Sequence, residues 1–265
     1  MKPLVYQMFA ERGLRVPEHM VFQLQELDRA TEFLKRHPRG CVVKPANGTS
    51  SGQGVTTHIL TGRELRAASV LASLYCPELL IEPMIPGECY RLLVLKGEMI
   101  HAVCRRGPRL VGDGVSNVAM LIQAENERRK NQGESLLDVD RDCLFTLGYQ
   151  DLSIESVPLQ GQMFMGKSVN DPRRTRVEVR TVYNEVVTGM ICDVLKTSAE
   201  SAAKILNSEL VGVDLITVDP TVSLEKSGGV INEVNTTPGL HHHYDSSLER
   251  FPEPALRILQ SLFRR

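Results

Sequence analysis

An α+β fold with mixed or antiparallel sheets is what this sequence predicts, on three observations. Apolar, β-branched runs alternate along the chain with segments of helical spacing. Two turn signals, Pro86-Gly87 and Lys96-Gly97, join consecutive strands directly, as hairpins require. A glycine-rich loop, "KPANGTSSGQGV", returns from strand to strand and does not open a helix.

The elements follow in order. Pro3 to Arg12 reads as a helix, with Pro3 in its first turn and Gly13 as its stop. The stretch "RVPEHMVF" reads as a strand, and residues 25–36 as a helix spaced on Leu27, Ala30, Phe33 and Leu34. "CVVKP" leads into the glycine loop and "GVTTHIL" leads out, before a helix from Arg63 to Tyr75. The segment "LLIEPMIPGECYRLLVLKGEMIHAVCRR" alternates strands with turns. Helices near 116–130, 138–147 and 198–209 frame further strands, "LVGVDLITVD" and "GGVINEVNTTP" are strand-like, and an amphipathic helix from Glu253 to Leu262 closes the chain.

At 265 residues the chain can bury a full core, as one large domain or two small ones. A formal charge of −1 gives no basis for a nucleic-acid or membrane partner. The N-terminus lacks a signal pattern, and no apolar run has the length of a membrane span. Six cysteines stand singly, without CxxC spacing, as expected of free thiols in a reducing, cytoplasmic setting.

Two stretches carry chemistry. Glycine-rich loops hold phosphates through backbone N–H groups, because no side chain keeps the backbone away. Without GKS or GKT this is no P-loop, and without a following helix it is no dinucleotide fingerprint. A plain flexible hairpin is the simpler alternative. Lys44, just before the loop, is expected to meet phosphate and not a structural carboxylate, and residues 47–54 are expected to close over a nucleotide. In "GGVINEVNTTP", Glu233 and Asn235 share a strand face, in step with Ile231, and offer hard oxygen ligands of the kind magnesium takes. Asp214 lies in the apolar "LVGVDLITV", where a carboxylate needs a metal or a salt bridge to an Arg or Lys.

Lys44 with its loop, the "IEPMIPG" linker and "GVD…NEVNTTPG" in this order resemble the ATP-grasp fold, in which two α+β lobes clamp ATP. The segment "YRLLVLKGEMIHAVCRRGPRLVGDGVSNVAMLIQAEN" and the "PGLHHH" end are similar to the ATP-grasp domain of cyanophycin synthetases and bifunctional glutathione synthetases, over nearly the whole chain. The resemblance implies a small lobe with a glycine-rich lid over 1–82 and a large lobe with the metal and substrate site over 83–265. It implies that Lys2 and Lys44 touch the nucleotide phosphates, that Ser50, Ser51 and Gly52 line the lid, and that Glu82, Pro83, Met84 and Ile85 lie against adenine. Asp214, Glu233 and Asn235 would hold two magnesium ions, which manganese could replace. Arg91 and Arg105 would face the transferring phosphoryl group, since arginine is an always-charged planar fork. Arg105 and Arg106 point to opposite strand faces, so only one of the two faces the phosphates, and the sequence leaves open which. Lys167 could match a phosphate-facing arginine of the family.

The sequence also departs from the family. The ribose-binding acid falls at Cys89, a poor acceptor, so Glu88 is expected to replace it. "MGKSVNDPRRTRVE" differs from the family's Asn-Ser-Thr-Gly-Gly stretch, which leaves the substrate open. The sequence begins where the family's ATP-grasp domain begins, so the chain is expected either to be excised from something longer or to be a minimal ligase whose substrate site a partner domain or a homodimer completes. Consecutive histidines point apart, so His241, His242 and His243 cannot all meet one ion; His243 and Tyr244 are expected at the substrate. The implied activity joins a carboxylate to an amine through an acyl phosphate, with small-molecule substrates such as amino acids. The alternatives are a nucleotide-binding regulatory module and a kinase-like protein without an amine step.

Overall fold

The structure is a computed structural model that describes residues 2–49, 53–105, 108–131, 136–166, 184–243 and 253–263. The chain packs as two compact units, Met1–Cys104 with Asn184–Arg265, and Arg105–Tyr183.

The first unit holds two sheets. The smaller has the order β1 (Met20–Phe22), β4 (Leu79–Pro83), β2 (Cys41–Pro45), β3 (Thr56–Ile59), every neighbouring pair antiparallel. The "RVPEHMVF" stretch forms only three residues of strand, because Pro17 has no N–H to give a ladder. Helices α2 (Leu27–Arg36) and α3 (Gly62–Ser73) cover one face of this sheet, burying Phe33, Cys41, Val43, Leu65, Leu79 and Ile81. A capping box starts α3: the Thr61 hydroxyl accepts from the Glu64 amide at 3.2 Å, and the Glu64 carboxylate accepts from the Thr61 amide at 2.9 Å. Strand alternation leaves Val42, Lys44, Leu80 and Glu82 on the other face.

The larger sheet has the order β11 (Val230–Asn235), β10 (Leu210–Thr217), β5 (Glu88–Leu95), β6 (Glu98–Arg105), β9 (Asn184–Val186). Lys96 and Gly97 turn β5 into β6 with φ of 49° and 83°, both left-handed, as a two-residue hairpin loop demands. Beneath the sheet, Tyr90, Leu92, Val94, Val211, Val213 and Leu215 pack on Phe9 of α1 (Lys2–Ala10) and on Leu195, Ala199 and Ala202 of α6 (Asp193–Ile205). The sequence places α6 at 198–209. It starts earlier because Leu195 joins the core, and it stops earlier because Asn207 takes a left-handed φ of 48°.

In the second unit, β7 (Arg109–Val111) pairs antiparallel with β8 (Met163–Met165). Leu110 and Phe164 bury against α4 (Val118–Asn131) and α5 (Arg141–Tyr149). The "VGDG" turn is structural here. Both carboxylate oxygens of Asp113 accept bonds, from the Val115 and Ser116 amides at 2.9 and 2.7 Å and from the Ser116 hydroxyl at 2.7 Å. Those bonds, Ser116's first, hold the Asp113 carboxyl down at about 2. A side chain at Gly112 would lie 2.4 Å from the Leu159 carbonyl, so only glycine fits.

Among the described residues, no helix is long and apolar enough to cross a membrane.

Candidate functional site

The free face of the smaller sheet buries two opposite charges. Lys44 and Glu82 are each 4% exposed, and the Lys44 ammonium donates to Glu82 Oε1 at 2.6 Å and to the Tyr6 hydroxyl at 3.1 Å. Burial disfavours the ammonium, but the Glu82 charge and both hydrogen bonds outweigh it, so the Lys44 pKa is raised. Lys44 therefore does meet a structural carboxylate, contrary to the sequence expectation: apolar neighbours such as Leu80 leave a buried ammonium no water, so it requires a counter-charge. The Tyr6 hydroxyl donates in turn to the Asn232 carbonyl of β11 at 2.5 Å. Lys2, one helical turn before Tyr6, is anchored through its amide to the Ala46 carbonyl at 3.1 Å. Its ammonium feels Glu233, Lys44 and Glu82, and burial lowers its pKa despite the attraction of Glu233.

On the larger sheet one row of paired residues runs across three strands: Arg91 of β5 opposite Asp214 of β10, and Asp214 opposite Glu233 of β11. Arg91 Nε and Nη2 grip the two Asp214 oxygens at 2.6 Å each, with both side chains buried. Burial opposes the Arg91 charge, and Asp214 more than restores it, raising the pKa. Gly212 makes room for this arginine, because a Cβ there would meet Pro238 at 2.9 Å and Arg91 Cδ at 3.4 Å.

A bulge sets the face of Glu233. The pairing steps from Leu215–Ile231 to Asp214–Glu233, so Asn232 is an extra residue on β11. Glu233 and Asn235 do share a face, but Ile231 is not in step with them. Ile231 lies in the core, as does Leu215, while Glu233 turns to the Asp214 side. The extra residue's carbonyl, displaced from the ladder, is the one that Tyr6 binds. Glu233 makes no hydrogen bond or ion pair among the described residues, and the Asn235 amide nitrogen is buried without a partner.

A histidine pair borders the Arg91–Asp214 contact. His243 is 4% exposed, and its Nδ1 lies 2.9 Å from Nδ1 of His101 on β6, so one nitrogen donates and the other accepts. Burial first, and then the proximity of His101, Arg91 and His242, pulls the His243 pKa down to about 3. Its Nε2 is buried without a partner.

Lys2, Lys44, Glu82, Arg91, Asp214, Glu233, Asn235 and His243 thus occupy facing strands and helix ends of one unit. Pro83, Met84 and Ile85 follow β4, where the Met84 amide donates to the Gly40 carbonyl at 2.9 Å. Glu88 opens β5 opposite Thr217. Arg105, 1% exposed, ends β6 on the strand face away from Ala102 and Cys104. Ser50, Ser51, Gly52, Lys167 and Tyr244 lie outside the described residues. Sequence reasoning missed Tyr6 and His101. Tyr6 had a signal, standing four residues after Lys2 on the same helix face.

A divalent cation can be tested against these groups. Glu233 and Asn235 fit a hard cation, since they share a strand face and offer an uncommitted carboxylate and an amide oxygen. Asp214 has both oxygens on Arg91. Among the described residues, no three His, Cys, Asp or Glu side chains cluster as metal ligands, so a cation here would draw on Asn235 and on oxygens of a bound ligand.

No protein-family model matches the chain. It is 28% identical over 258 residues to a cyanophycin synthetase of Nostoc sp. strain PCC 7120, covering 91% of this chain and 26% of that one. It is 28% identical over 243 residues to the bifunctional glutathione biosynthesis protein of Listeria innocua, covering 88% of this chain and 30% of that one. The chain therefore spans less than a third of the length of these curated relatives. Among solved structures, a bifunctional glutathione synthetase from Pasteurella multocida superposes with a TM-score of 0.59 at 21% identity, covering 99% of this chain and 35% of that one. The ATP-grasp ligase PsnB, complexed with its minimal precursor, Mg and ADP, superposes at 0.54 and 14% identity, covering 100% of this chain and 59% of that one. Matched along essentially its whole length by these structures, the chain has the ATP-grasp fold.

Proposed function

We propose that the chain is an ATP-dependent carboxylate–amine ligase. A phosphoryl group passes from ATP to a carboxylate, an amine attacks the acyl phosphate, and an amide, ADP and phosphate result. The observation that carries this reading is the placement of Lys2 between the buried Lys44–Glu82 pair and an uncommitted carboxylate, Glu233, whose charges all act on its ammonium.

The roles follow from charge and placement. Lys2 and Lys44 offset phosphate charge. Lys44 is already oriented by Glu82 and Tyr6, so little reorganisation accompanies binding. Glu233 and Asn235 would hold magnesium, which when bound neutralises charge on the β- and γ-phosphates. For Asp214 to join them, Arg91 must share or release one of its oxygens. Arg91, fixed by Asp214, presents the rest of its guanidinium beside the buried His243. Glu82 to Ile85 would lie against adenine, with the lid residues Ser50, Ser51 and Gly52 over the triphosphate. Glu88 would take the ribose in place of Cys89. Arg105 and Lys167 would face the transferring group, and His243 and Tyr244 the substrate. The substrates are small carboxylates and amines, with amino acids the first to try, and the two lobes would comprise 1–82 and 83–265.

The test is phosphate and ADP release with ATP, magnesium and a panel of amino-acid pairs, read together with product mass. A ligase releases phosphate only with both substrates and yields an amide. Phosphorylation without an amine would indicate a kinase-like protein. Nucleotide binding without turnover across the panel would indicate a regulatory module.

A further inference from the structure

Tyr6 bridges the two sheets of the first unit. Its hydroxyl accepts from the Lys44 ammonium of β2 at 3.1 Å and donates to the Asn232 carbonyl of β11 at 2.5 Å. The side chain is 2% exposed and its ring lies 5.6 Å from the Lys44 ammonium. The phenolic oxygen moves only with its ring, and its one proton goes to the Asn232 carbonyl at 2.5 Å and not to Glu82 Oε2, which lies farther off at 3.4 Å, so the two bonds fix two groups relative to each other. Lys44 is one such group. The other is the bulge residue whose extra place in β11 turns Glu233 toward the site. Among the described residues no other side chain hydrogen-bonds both to Lys44 and to β11.

We propose that Tyr6 is a positioning residue that holds the Lys44 ammonium in register with the Glu233 strand, so that the phosphate and cation ends of the nucleotide site are set together. This rests on the ligase reading. The consequence is energetic coupling. A cation drawn to Glu233 favours the β11 geometry that Tyr6 stabilises, and the same hydroxyl holds Lys44 for the phosphates. Magnesium should therefore strengthen nucleotide binding more when the hydroxyl is present than when it is absent.

The experiment is calorimetric titration of ADP, with and without magnesium, into the wild-type chain and Tyr6→Phe. Urea unfolding of both proteins runs alongside. The factor by which magnesium tightens ADP binding should fall about tenfold in Tyr6→Phe, as expected for losing one hydrogen bond to a charged group. Magnesium-free affinity should change less. An unchanged magnesium factor in a folded Tyr6→Phe protein overturns the inference, and so does a loss of stability with that factor intact, which would make Tyr6 merely structural. If Tyr6→Phe does not fold, Tyr6→Met, which fills much of the same space without a hydroxyl, takes its place under the same criteria. A wild-type chain that binds no ADP under either condition would instead remove the ligase reading on which the inference rests.

Discussion

Acid should unfold this protein partly through one imidazole. His243 is buried beside His101, Arg91 and His242, and burial first, then those neighbours, holds its folded pKa at about 3. In the unfolded chain it returns to the ordinary histidine value of about 6.5. Between those values the unfolded state binds a proton that the folded state refuses. Stability is therefore fully present above pH 6.5 and is lost as pH falls toward 3. From pH 7.5 to pH 5 the imidazole crosses about 1.5 units below its unfolded pKa, a loss of about 2 kcal/mol at 1.36 kcal/mol per unit. His243→Gln removes the titration and keeps a polar side chain of similar reach. Urea midpoints at pH 7.5 and pH 5 give the comparison. The wild type should lose about 2 kcal/mol more than the variant over that interval, whatever their difference at pH 7.5. Equal losses would show that His243 protonates in place without strain, and the account of its surroundings would be wrong.

Other substitutions separate structural from functional charge. Lys44→Ala strands Glu82 in the interior and should cost about 3–5 kcal/mol in urea unfolding. Adding Glu82→Gln should restore part of that stability but none of the ADP affinity measured by calorimetry. Arg91→Ala should destabilise similarly by removing the bidentate cation from the buried Asp214. Glu233→Gln, whose carboxylate has no partner to lose, should shift unfolding by less than about 1 kcal/mol and abolish magnesium-dependent ATP turnover. Gly54→Ala should cost about 1–3 kcal/mol in thermal melting, because φ is +71° there and a Cβ would lie 2.8 Å from Pro45 and Tyr75.

Local chemistry made part of this site legible in the sequence. The Lys96-Gly97 hairpin, the glycine loop between β2 and β3, and the shared face of Glu233 and Asn235 follow from turn geometry and strand alternation, which act over a few residues. What could not be read depends on partners far apart in the chain. Arg91 and Asp214 are 123 positions apart, and Lys44 and Glu82 are 38 apart. The alternatives for Asp214, a metal or a salt bridge, looked alike because both satisfy a buried carboxylate. Nothing in "GGVINEVN" marks Asn232 as the extra residue. Its place is defined by pairing with β10 and by Tyr6 from α1. The His101–His243 contact joins residues 142 positions apart.

The bulge at Asn232 gives β11 two parities. Ile231 faces the core as an odd-numbered residue, whereas beyond the bulge Val234 packs on the core as an even-numbered one. Deleting one residue at Asn232 would make the strand a regular ladder. If the Ile231–Leu215 pair held, Glu233, Val234 and Asn235 would keep their partners Asp214, Val213 and Gly212 and hence their faces, and what would be lost is the Asn232 carbonyl that Tyr6 binds. A residue gained between Glu233 and Val234, by contrast, would turn Val234 to the Asp214 side and Asn235 toward the apolar layer. In a set of length variants of this strand, solubility should survive deletion of Asn232 and fail on insertion after Glu233, while changes in the exposed turn at Lys96-Gly97 should be tolerated.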